Sequence, residues 1–386
     1  MTPAEQGKTK SPGIKDIARS LGVSIGTVDR ALHGRPGINP LTRARVLKMA
    51  QTLGYRPNFA ARHLKLNRKV RLFANLPGEI ASFFDVLRRG IAEAARFFQS
   101  TIDMQFRDYP RLGEGDVDVF QEALREGANG IIVAPGDPAA FKPWIRKAAR
   151  AHVPVVCVAT DAPGTERLTS ISTDPVTGGA MVAELISQVS LRPAKVLLVT
   201  GDLATVDHAE KVRGFREFLT RTGSPIEIAL VAEAHDDPGE AYRLTKEAIS
   251  AQTDIDAVYV STANSIPVIQ ALEEAGRLPR TLIFTTDLFP ELVPYLQSGQ
   301  VFATMYQRPM AQGRLAFQAL YQFIVEGICP QLRTRLAPHV VMRSNLDLFL
   351  GRIPGELEDS DVPLLASQAK EAPSSSNARS LGPAHR

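Results

Sequence analysis

Apolar residues in the first fifty or so positions recur at the spacing of α-helices. From Ile14 onward they fall at i, i+3, i+4 and i+7, continue after a break at Gly22-Val23-Ser24, and recur near residue 50. The residues in these stripes are Ile14, Ile17, Ala18, Leu21, Val28, Leu32, Val46, Ala50 and Leu53. The pattern predicts three short helices.

The first two predicted helices have the spacing of a helix-turn-helix. Ala18 is small where the helices would cross, Gly22 can take a positive φ in the tight turn, and Val28 is a β-branched core residue. Ser24 is a natural N-cap for the second helix. In such a pair, closed by a third helix, the start of the second helix faces the major groove of DNA.

From residue 70 onward, short apolar runs alternate with helical segments, as parallel βαβ units require. The candidate strands are 70–76, 101–106, 130–135, 154–160, 195–200, 226–232, 256–262, 282–287 and 301–306. These nine strands exceed one doubly wound sheet, so we expect an α/β core of two similar lobes with parallel sheets. With 386 residues, 44% of them hydrophobic, the chain can bury cores of that size.

Charge separates the two parts of the chain. Residues 1–69 contain 14 Lys and Arg against three acidic residues, a balance of +11, while the whole chain is +4. The rest of the chain therefore carries −7. A basic module on an acidic body fits DNA phosphate and does not fit a membrane surface or an acidic substrate. The alternative is a solvated basic helical bundle.

The N-terminal motifs GIKDIARSLGVSIGTVDRALHG, TRARVLKMAQTLGYRPN and ARHLK strongly resemble the DNA-binding module of the LacI/GalR family of bacterial transcription regulators. The resemblance implies that one face of the second helix contacts double-stranded DNA, with Arg30 on a base and Ser24 and Thr27 on phosphates. The implied contact residues are Ser24, Ile25, Gly26, Thr27, Asp29 and Arg30. Ile25, Gly26 and Asp29 depart from the residues common in such regulators, so the operator sequence cannot be inferred.

Residues 58–66 would form a helix too short to persist alone in water. The resemblance implies a hinge helix that folds when two copies pack in the DNA minor groove, with Leu64 wedged into a base step and Ala61 and Lys65 beside it. From the residues alone, Leu64 is as well explained as an ordinary packing leucine. Whatever moves such a hinge would release DNA.

The remainder resembles the periplasmic sugar-binding protein fold that follows the DNA module in this family. The resemblance implies a first lobe of about 69–171 and 302–330 and a second of about 172–301 and 331–350, crossed three times by the chain. The expected domains are a flexible N-terminus (1–12), the helix-turn-helix (13–57), the hinge (58–68), the ligand-binding core (69–352) and a disordered tail (353–386).

Polar residues follow several predicted strands, where ligands sit in such sheets. Each of them alone is as well explained as a helix cap or a turn former. The residues are Asp161, Asn264, Asp287 and Gln307, and the resemblance aligns them with positions that bind sugar hydroxyls. Phe83 and Phe84 either stack on a sugar ring or fill the core, and Arg167 either reaches the ligand or pairs with a carboxylate.

The segment TVDHAEKVRGF departs from the family pattern, because Ala209 lies where relatives place a ligand-binding arginine. His208 or Lys211 is the expected substitute, and the ligand then need not be an ordinary neutral sugar.

An enzyme is the rival class. No GxSxG, P-loop, HExxH or GxGxxG motif occurs, the histidines form no pair at metal-ligand spacing, and Asp236-Asp237 reads as a turn and a cap. The two cysteines exclude a disulfide framework and a cysteine-rich zinc site, so no metal or cofactor is expected. A further alternative is a cytoplasmic sugar sensor with a degenerate DNA module.

These observations predict a homodimeric, ligand-responsive repressor bound to a pseudo-palindromic operator, with a sugar, polyol or derivative as effector. No run of the chain is long and apolar enough for a membrane span, and the N-terminus lacks a signal peptide, so we expect a cytoplasmic protein on the bacterial nucleoid. Whether the effector releases the operator or holds it is left open by the sequence.

Overall fold

The computed structural model describes residues 13–32, 37–53, 69–190, 193–252 and 254–350. The hinge residues Ala61, Leu64 and Lys65, the N-terminus 1–12 and the tail 353–386 lie outside these ranges, so the predictions for them stay predictions.

The described helices are α1 (Ile14–Leu21), α2 (Ile25–Leu32), α3 (Pro40–Thr52), α4 (Ala81–Ala95), α5 (Asp116–Arg125), α6 (Pro138–Arg150), α7 (Pro175–Val189), α8 (Val206–Thr222), α9 (Pro238–Ala251), α10 (Ser265–Glu274), α11 (Val293–Ser298), α12 (Pro309–Tyr321) and α13 (Leu346–Phe349). The strands are β1 (Val70–Pro77), β2 (Ile102–Tyr109), β3 (Gly130–Val133), β4 (Val155–Val158), β5 (Thr169–Thr173), β6 (Lys195–Thr200), β7 (Glu227–Glu233), β8 (Ala257–Val260), β9 (Leu282–Thr286), β10 (Ala303–Tyr306), β11 (Arg333–Leu336) and β12 (His339–Val341). Short turns at Arg96–Phe98, Leu278–Arg280 and Pro290–Leu292 are 3₁₀, and Gln322–Glu326 is a π-helical turn.

The three N-terminal helices pack around the predicted apolar stripe. Ile17, Ala18, Val28, Ala31, Val46 and Ala50 form their buried core. Gly22 has φ +65°, and its N–H donates to the carbonyl of Ala18, which ends α1 in the left-handed conformation. The Ser24 hydroxyl accepts the N–H of Thr27 at 3.1 Å and so caps α2. The expected helix-turn-helix geometry is confirmed.

Two six-stranded sheets make up the core. The first has the order β11-β5-β4-β3-β1-β2 and is parallel throughout. The second has the order β12-β10-β9-β8-β6-β7 and is parallel except for β12, which pairs antiparallel with β10. Helices cover both faces of each sheet, so the central strands are buried on both sides and read as continuous apolar runs. The predicted two-lobed α/β class is confirmed.

Three strands were not predicted from the sequence. The observed strand pairing also shifts the lobe boundaries. β10 was predicted in the first lobe but pairs with β9 and β12 of the second. The stretch containing β11 was predicted in the second lobe but pairs with β5 of the first. The second and third crossings therefore come later in the chain than predicted. The cause is composition, since β5 (TSIST) and β11 (RTRL) contain one apolar residue each and give no apolar run.

Glycines allow close helix crossings in both lobes. In the second lobe, a Cβ added at Gly179 of α7 would lie 2.0 Å from the carbonyl oxygen of Lys211 in α8. In the first lobe, a Cβ at Gly90 of α4 would lie 2.3 Å from the carbonyl oxygen of Met310 in α12. Only glycine fits at these contacts, and the contact at Gly179 sets how closely α7 and α8 approach each other.

Exchanging Gly179 for alanine is expected to lower the free energy of unfolding by about 1–3 kcal/mol, because the helices must separate to admit the methyl group. Gly178→Ala is the matched control, since a Cβ there meets nothing within 4 Å in the described part of the chain. In a helix, alanine is more stable than glycine by roughly 0.5–1 kcal/mol, so the control should gain stability. Urea unfolding of both variants checks this, and equal effects would contradict the close crossing.

Candidate functional site

A cleft opens between the lobes at the carboxyl ends of the strands. It has a volume of about 420 Å³, part of it open to solvent. The lining residues follow β2, β4, β7, β8, β9 and β10 or lie at the start of α4 and α8, which is where ligands bind in such sheets. The lining comprises Ile80, Phe83, Phe84, Leu112, Ala159, Thr160, Asp207, His208, Lys211, Asp236, Ser261, Thr262, Ala263, Asp287 and Gln307.

Polar contacts join the two lobes across this cleft. Arg111, which follows β2, places a guanidinium nitrogen 2.5 Å from the carboxylate of Asp237 at the start of α9. Arg335 of β11 lies 3.2 Å from Glu210 of α8. The structure therefore has the lobes closed on each other, with ion pairs at two separate points of contact.

Helix α8 brings a buried cation to the floor of the cleft. The ammonium of Lys211 lies 2.7 Å from the carboxylate of Asp207, one turn earlier, and donates to the carbonyl of Ser261 at 3.2 Å. Burial by itself lowers the pKa of Lys211, but the attractions of Asp207, Tyr259 and Asp287 together outweigh it and the pKa is raised. Lys211 is therefore held charged.

Asp287 lies opposite Lys211, directly after β9. Its backbone takes φ +70°, and the hydroxyl of Thr304 donates to its carbonyl at 2.5 Å. The side-chain amide of Gln307 donates to its carboxylate at 2.9 Å. Burial raises the pKa of Asp287 to about 6, although Lys211 pulls it down. The carboxylate is thus ionised near neutral pH at a cost in stability.

A histidine and a second aspartate complete the polar side of the cleft. His208 Nε2 lies 3.8 Å from a carboxylate oxygen of Asp236, and both side chains are buried. The imidazole fits because residue 201 is glycine, where a Cβ would come within 1.9 Å of the ring. The sequence by itself predicts only a turn role for Asp236. Its position after β7 is the same signal that identified Asp287.

Phe83 and Phe84 satisfy both of the alternatives left open for them. Both line the cleft, and both belong to the buried core of the first lobe. Their rings meet edge to face, with centroids 4.9 Å apart and an interplanar angle of 80°. They present a rigid aromatic wall opposite the polar residues of α8.

Asp161 and Arg167 are not among the residues that line the cleft. For Arg167 this agrees with the second of its two alternatives, pairing with a carboxylate. The two side chains form a buried ion pair with two hydrogen bonds, one of them 2.8 Å between Nη2 and Oδ2. Arg167 also donates to the carbonyl of Leu332, at the start of the β11 segment. Burial alone would raise the pKa of Asp161, but the guanidinium outweighs it and lowers the pKa. The pair therefore holds the β11 segment against the first lobe.

Asn264 follows β8, as predicted from the sequence. It lies at the N-cap of α10, next to the lining residue Ala263, but is not itself part of the lining. Its side chain is buried, and Nδ2 has no hydrogen-bond partner within the described residues. His208, Asp287 and Gln307 do line the cleft, and their binding of a ligand stays a prediction.

The predicted DNA-contacting residues lie on α2 and its N-cap, with Arg30 in the last turn of the helix. Ser24, Ile25, Gly26 and Arg30 are exposed, and Ile25 has half of its surface accessible at 50%. The hydroxyls of Ser24 and Thr27 lie 2.8 Å apart, and Arg30 Nε donates to the carbonyl of Gly26 at 3.1 Å. Asp29 is half-buried one turn above Ile25. The face is polar at its edges with one apolar residue at its centre.

Comparison with known proteins finds a match for both the N-terminal helices and the two-lobed core. The family described as periplasmic binding protein domain matches residues 73–327, and the family described as bacterial regulatory proteins, lacI family, matches residues 13–58. The chain belongs to the periplasmic binding protein domain family and carries a lacI-family DNA-binding domain. The recognition made from the N-terminal motifs is confirmed.

Individual relatives of this chain agree. Catabolite control protein A of Priestia megaterium is 25% identical over 265 residues, covering 68% of this chain and 78% of the relative. The ribose operon repressor of Bacillus subtilis (strain 168) is 26% identical over 265 residues, covering 68% and 76%. The solved structure of GanP, a glucose-galactose binding protein from Geobacillus stearothermophilus, superposes with a TM-score of 0.67 at 25% identity, covering 72% of this chain and 99% of GanP.

The described residues contain neither a cluster suited to a metal ion nor a helix suited to a membrane. Within the described ranges, no three His, Cys, Asp or Glu side chains are grouped as a metal site requires. None of the described helices has the length and apolar character needed to cross a membrane.

Proposed function

We propose that this chain is a transcriptional repressor whose affinity for operator DNA is set by a polyhydroxylated effector in the interlobe cleft. One observation carries the proposal: a helix-turn-helix and a closed, aromatic and polar cleft between two lobes occur in a single chain. The relatives named above are a catabolite control protein and a ribose operon repressor, which supports a regulator over an enzyme.

The lining of the cleft supports a sugar or a polyol as effector. Carboxylates and amides accept and donate hydrogen bonds to neighbouring hydroxyls, and Asp287 and Gln307 are already oriented by a bond to each other. Phe83 offers a flat apolar surface of the kind that packs on the C–H face of a sugar ring. GanP, which has a similar fold, is a glucose-galactose binding protein.

We propose that control works through closure of the lobes. Thr160 of the first lobe accepts the backbone N–H of Asp207 of the second at 3.4 Å, so a ligand between them contacts both. An effector that binds the closed form better than the open form shifts the balance between them by its difference in affinity. In a homodimer on a pseudo-palindromic operator, that shift would move the two hinge segments 58–68 and change DNA affinity. Such a regulator works in the cytoplasm, on the nucleoid.

Arg30→Ala tests the DNA half of the proposal. Selection from random duplexes should enrich a two-fold symmetric site, and the variant should bind that site more weakly by about 1–3 kcal/mol per half-site because a base contact is lost. Binding to unselected DNA should fall much less. Fluorescence anisotropy with both DNAs measures the difference.

Arg45→Ala is the matched control, because it removes the same charge from an exposed position on α3. Its effect should be similar on selected and unselected DNA. If Arg30→Ala behaves in the same way, Arg30 contacts phosphate only, and if no symmetric site is enriched, the operator model is wrong.

A further inference from the structure

Acidic side chains outnumber lysines and arginines among the residues that line the cleft. Three carboxylates line it, from Asp207, Asp236 and Asp287, and Lys211 is the one lysine or arginine among the lining residues. Carboxylates only accept hydrogen bonds, so three of them favour a ligand with several donors or a positive charge.

Among the described residues, this charge is only partly neutralised. Asp207 is 8% exposed, and while one carboxylate oxygen binds Lys211, the other, Oδ1, has no hydrogen-bond partner among the described residues. A buried acceptor without a donor costs free energy until a ligand supplies one. Asp236 faces His208 at 3.8 Å, which is too long for a good hydrogen bond.

Two further features suit a cation. Phe83 and Phe84 line the cleft with Asp207 and Asp236, and aromatic rings attract cations through their electron-rich faces. The raised pKa of Asp287, which burial and the Asp207 and Asp236 carboxylates together produce, marks a place where added positive charge is stabilising.

We infer that the effector is a polyhydroxylated amine, carrying a protonated nitrogen between Asp207, Asp236 and Asp287, and that sugar phosphates are excluded. This inference rests on the proposed function, since it names the ligand class of the same cleft. An anionic phosphate would meet three carboxylates and a single lysine.

Calorimetric titration of the full-length protein near neutral pH tests the inference with matched compounds. The probes are D-glucosamine, D-glucose, N-acetyl-D-glucosamine and D-glucose 6-phosphate, the same four derivatives of D-galactose, and 1-deoxynojirimycin, which has its nitrogen in the ring. An amine should bind at least about tenfold more tightly than its neutral parent and its N-acetyl derivative, and the phosphates should not bind.

A neutral sugar or a phosphate that binds as tightly as its amine overturns the inference but leaves the proposed function standing. If no compound of any class binds, both the inference and the proposed role of the cleft are wrong.

Charge-removing variants assign the selectivity to residues. Asp236 and Asp287 both have positive φ, at 55° and 70°, which asparagine tolerates well, so Asp236→Asn and Asp287→Asn keep the backbone. Each should lower the ratio of amine to neutral affinity about fivefold or more. Asp118→Asn, on the exposed side of α5, is the matched control and should leave the ratio unchanged. If both cleft variants keep the wild-type ratio of amine to neutral affinity, the inference is wrong.

Discussion

Replacing Lys211 with methionine is expected to lower the free energy of unfolding by about 3–5 kcal/mol, because it leaves buried carboxylates without their cation. Asp207, 2.7 Å away, loses its ion pair, and Asp287 loses the positive charge that opposes its raised pKa. Methionine has a similar length and fills the same space, so the loss reports charge rather than a cavity. Urea unfolding followed by circular dichroism measures it.

A surface pair in the same lobe supplies the matched control for Lys211→Met. Lys195 lies 2.6 Å from Asp254, a distance like that in the buried pair, but both side chains are exposed. Water and salt screen such a pair, so Lys195→Met should cause only a small fraction of the loss. Adding Asp207→Asn to Lys211→Met should recover much of the stability. Equal losses for both lysines would show that burial does not strengthen the pair.

Asp287→Asn is expected to raise the free energy of unfolding of the ligand-free protein by about 3 kcal/mol near pH 8. The ordinary pKa of 3.8 rises to about 6 in the folded chain, so the folded state binds the proton more tightly than the unfolded state. The contribution of this group to stability is therefore greatest below its ordinary pKa, falls as the pH rises toward 6, and is constant above. Asparagine cannot ionise and removes this fall, while its amide oxygen can still accept from Gln307.

The measurement is urea unfolding of wild type and variant across this pH range, with the difference between them as the readout. The two stabilities should be close near pH 4 and diverge as the pH rises to 6. Other carboxylates titrate equally in both proteins and cancel in the difference. A constant difference across the range would show that Asp287 has an ordinary pKa.

The buried charges of the cleft are expected to lower the free energy of unfolding of the protein. The charges of Asp207 and Asp287 are kept buried although neutral side chains would be more stable there. Positive φ at Ala159, Asp236 and Asp287, all lining residues, adds local backbone strain. Such costs are typical of positions that a ligand, rather than folding, has to satisfy.

The site was less predictable than the fold. Strand-end position identified Asp287 and Gln307 correctly as cleft residues, but the same signal also marked Asp161, which instead binds Arg167. A strand end says which edge of the sheet a side chain occupies. It does not show whether an arginine six residues later will form an ion pair with that carboxylate.

The sequence by itself determined the helix-turn-helix, the charge division and the two-lobed α/β class, because periodicity within one element reports which of its faces is buried. Tertiary structure alone decided where the chain crosses between lobes, since β5 and β11 pair through backbone hydrogen bonds that need no apolar residues. It also decided which charges share the cleft. Asp207, Asp236 and Asp287 come from three separate segments, and only the packing of α8 against the strand ends brings them around Lys211.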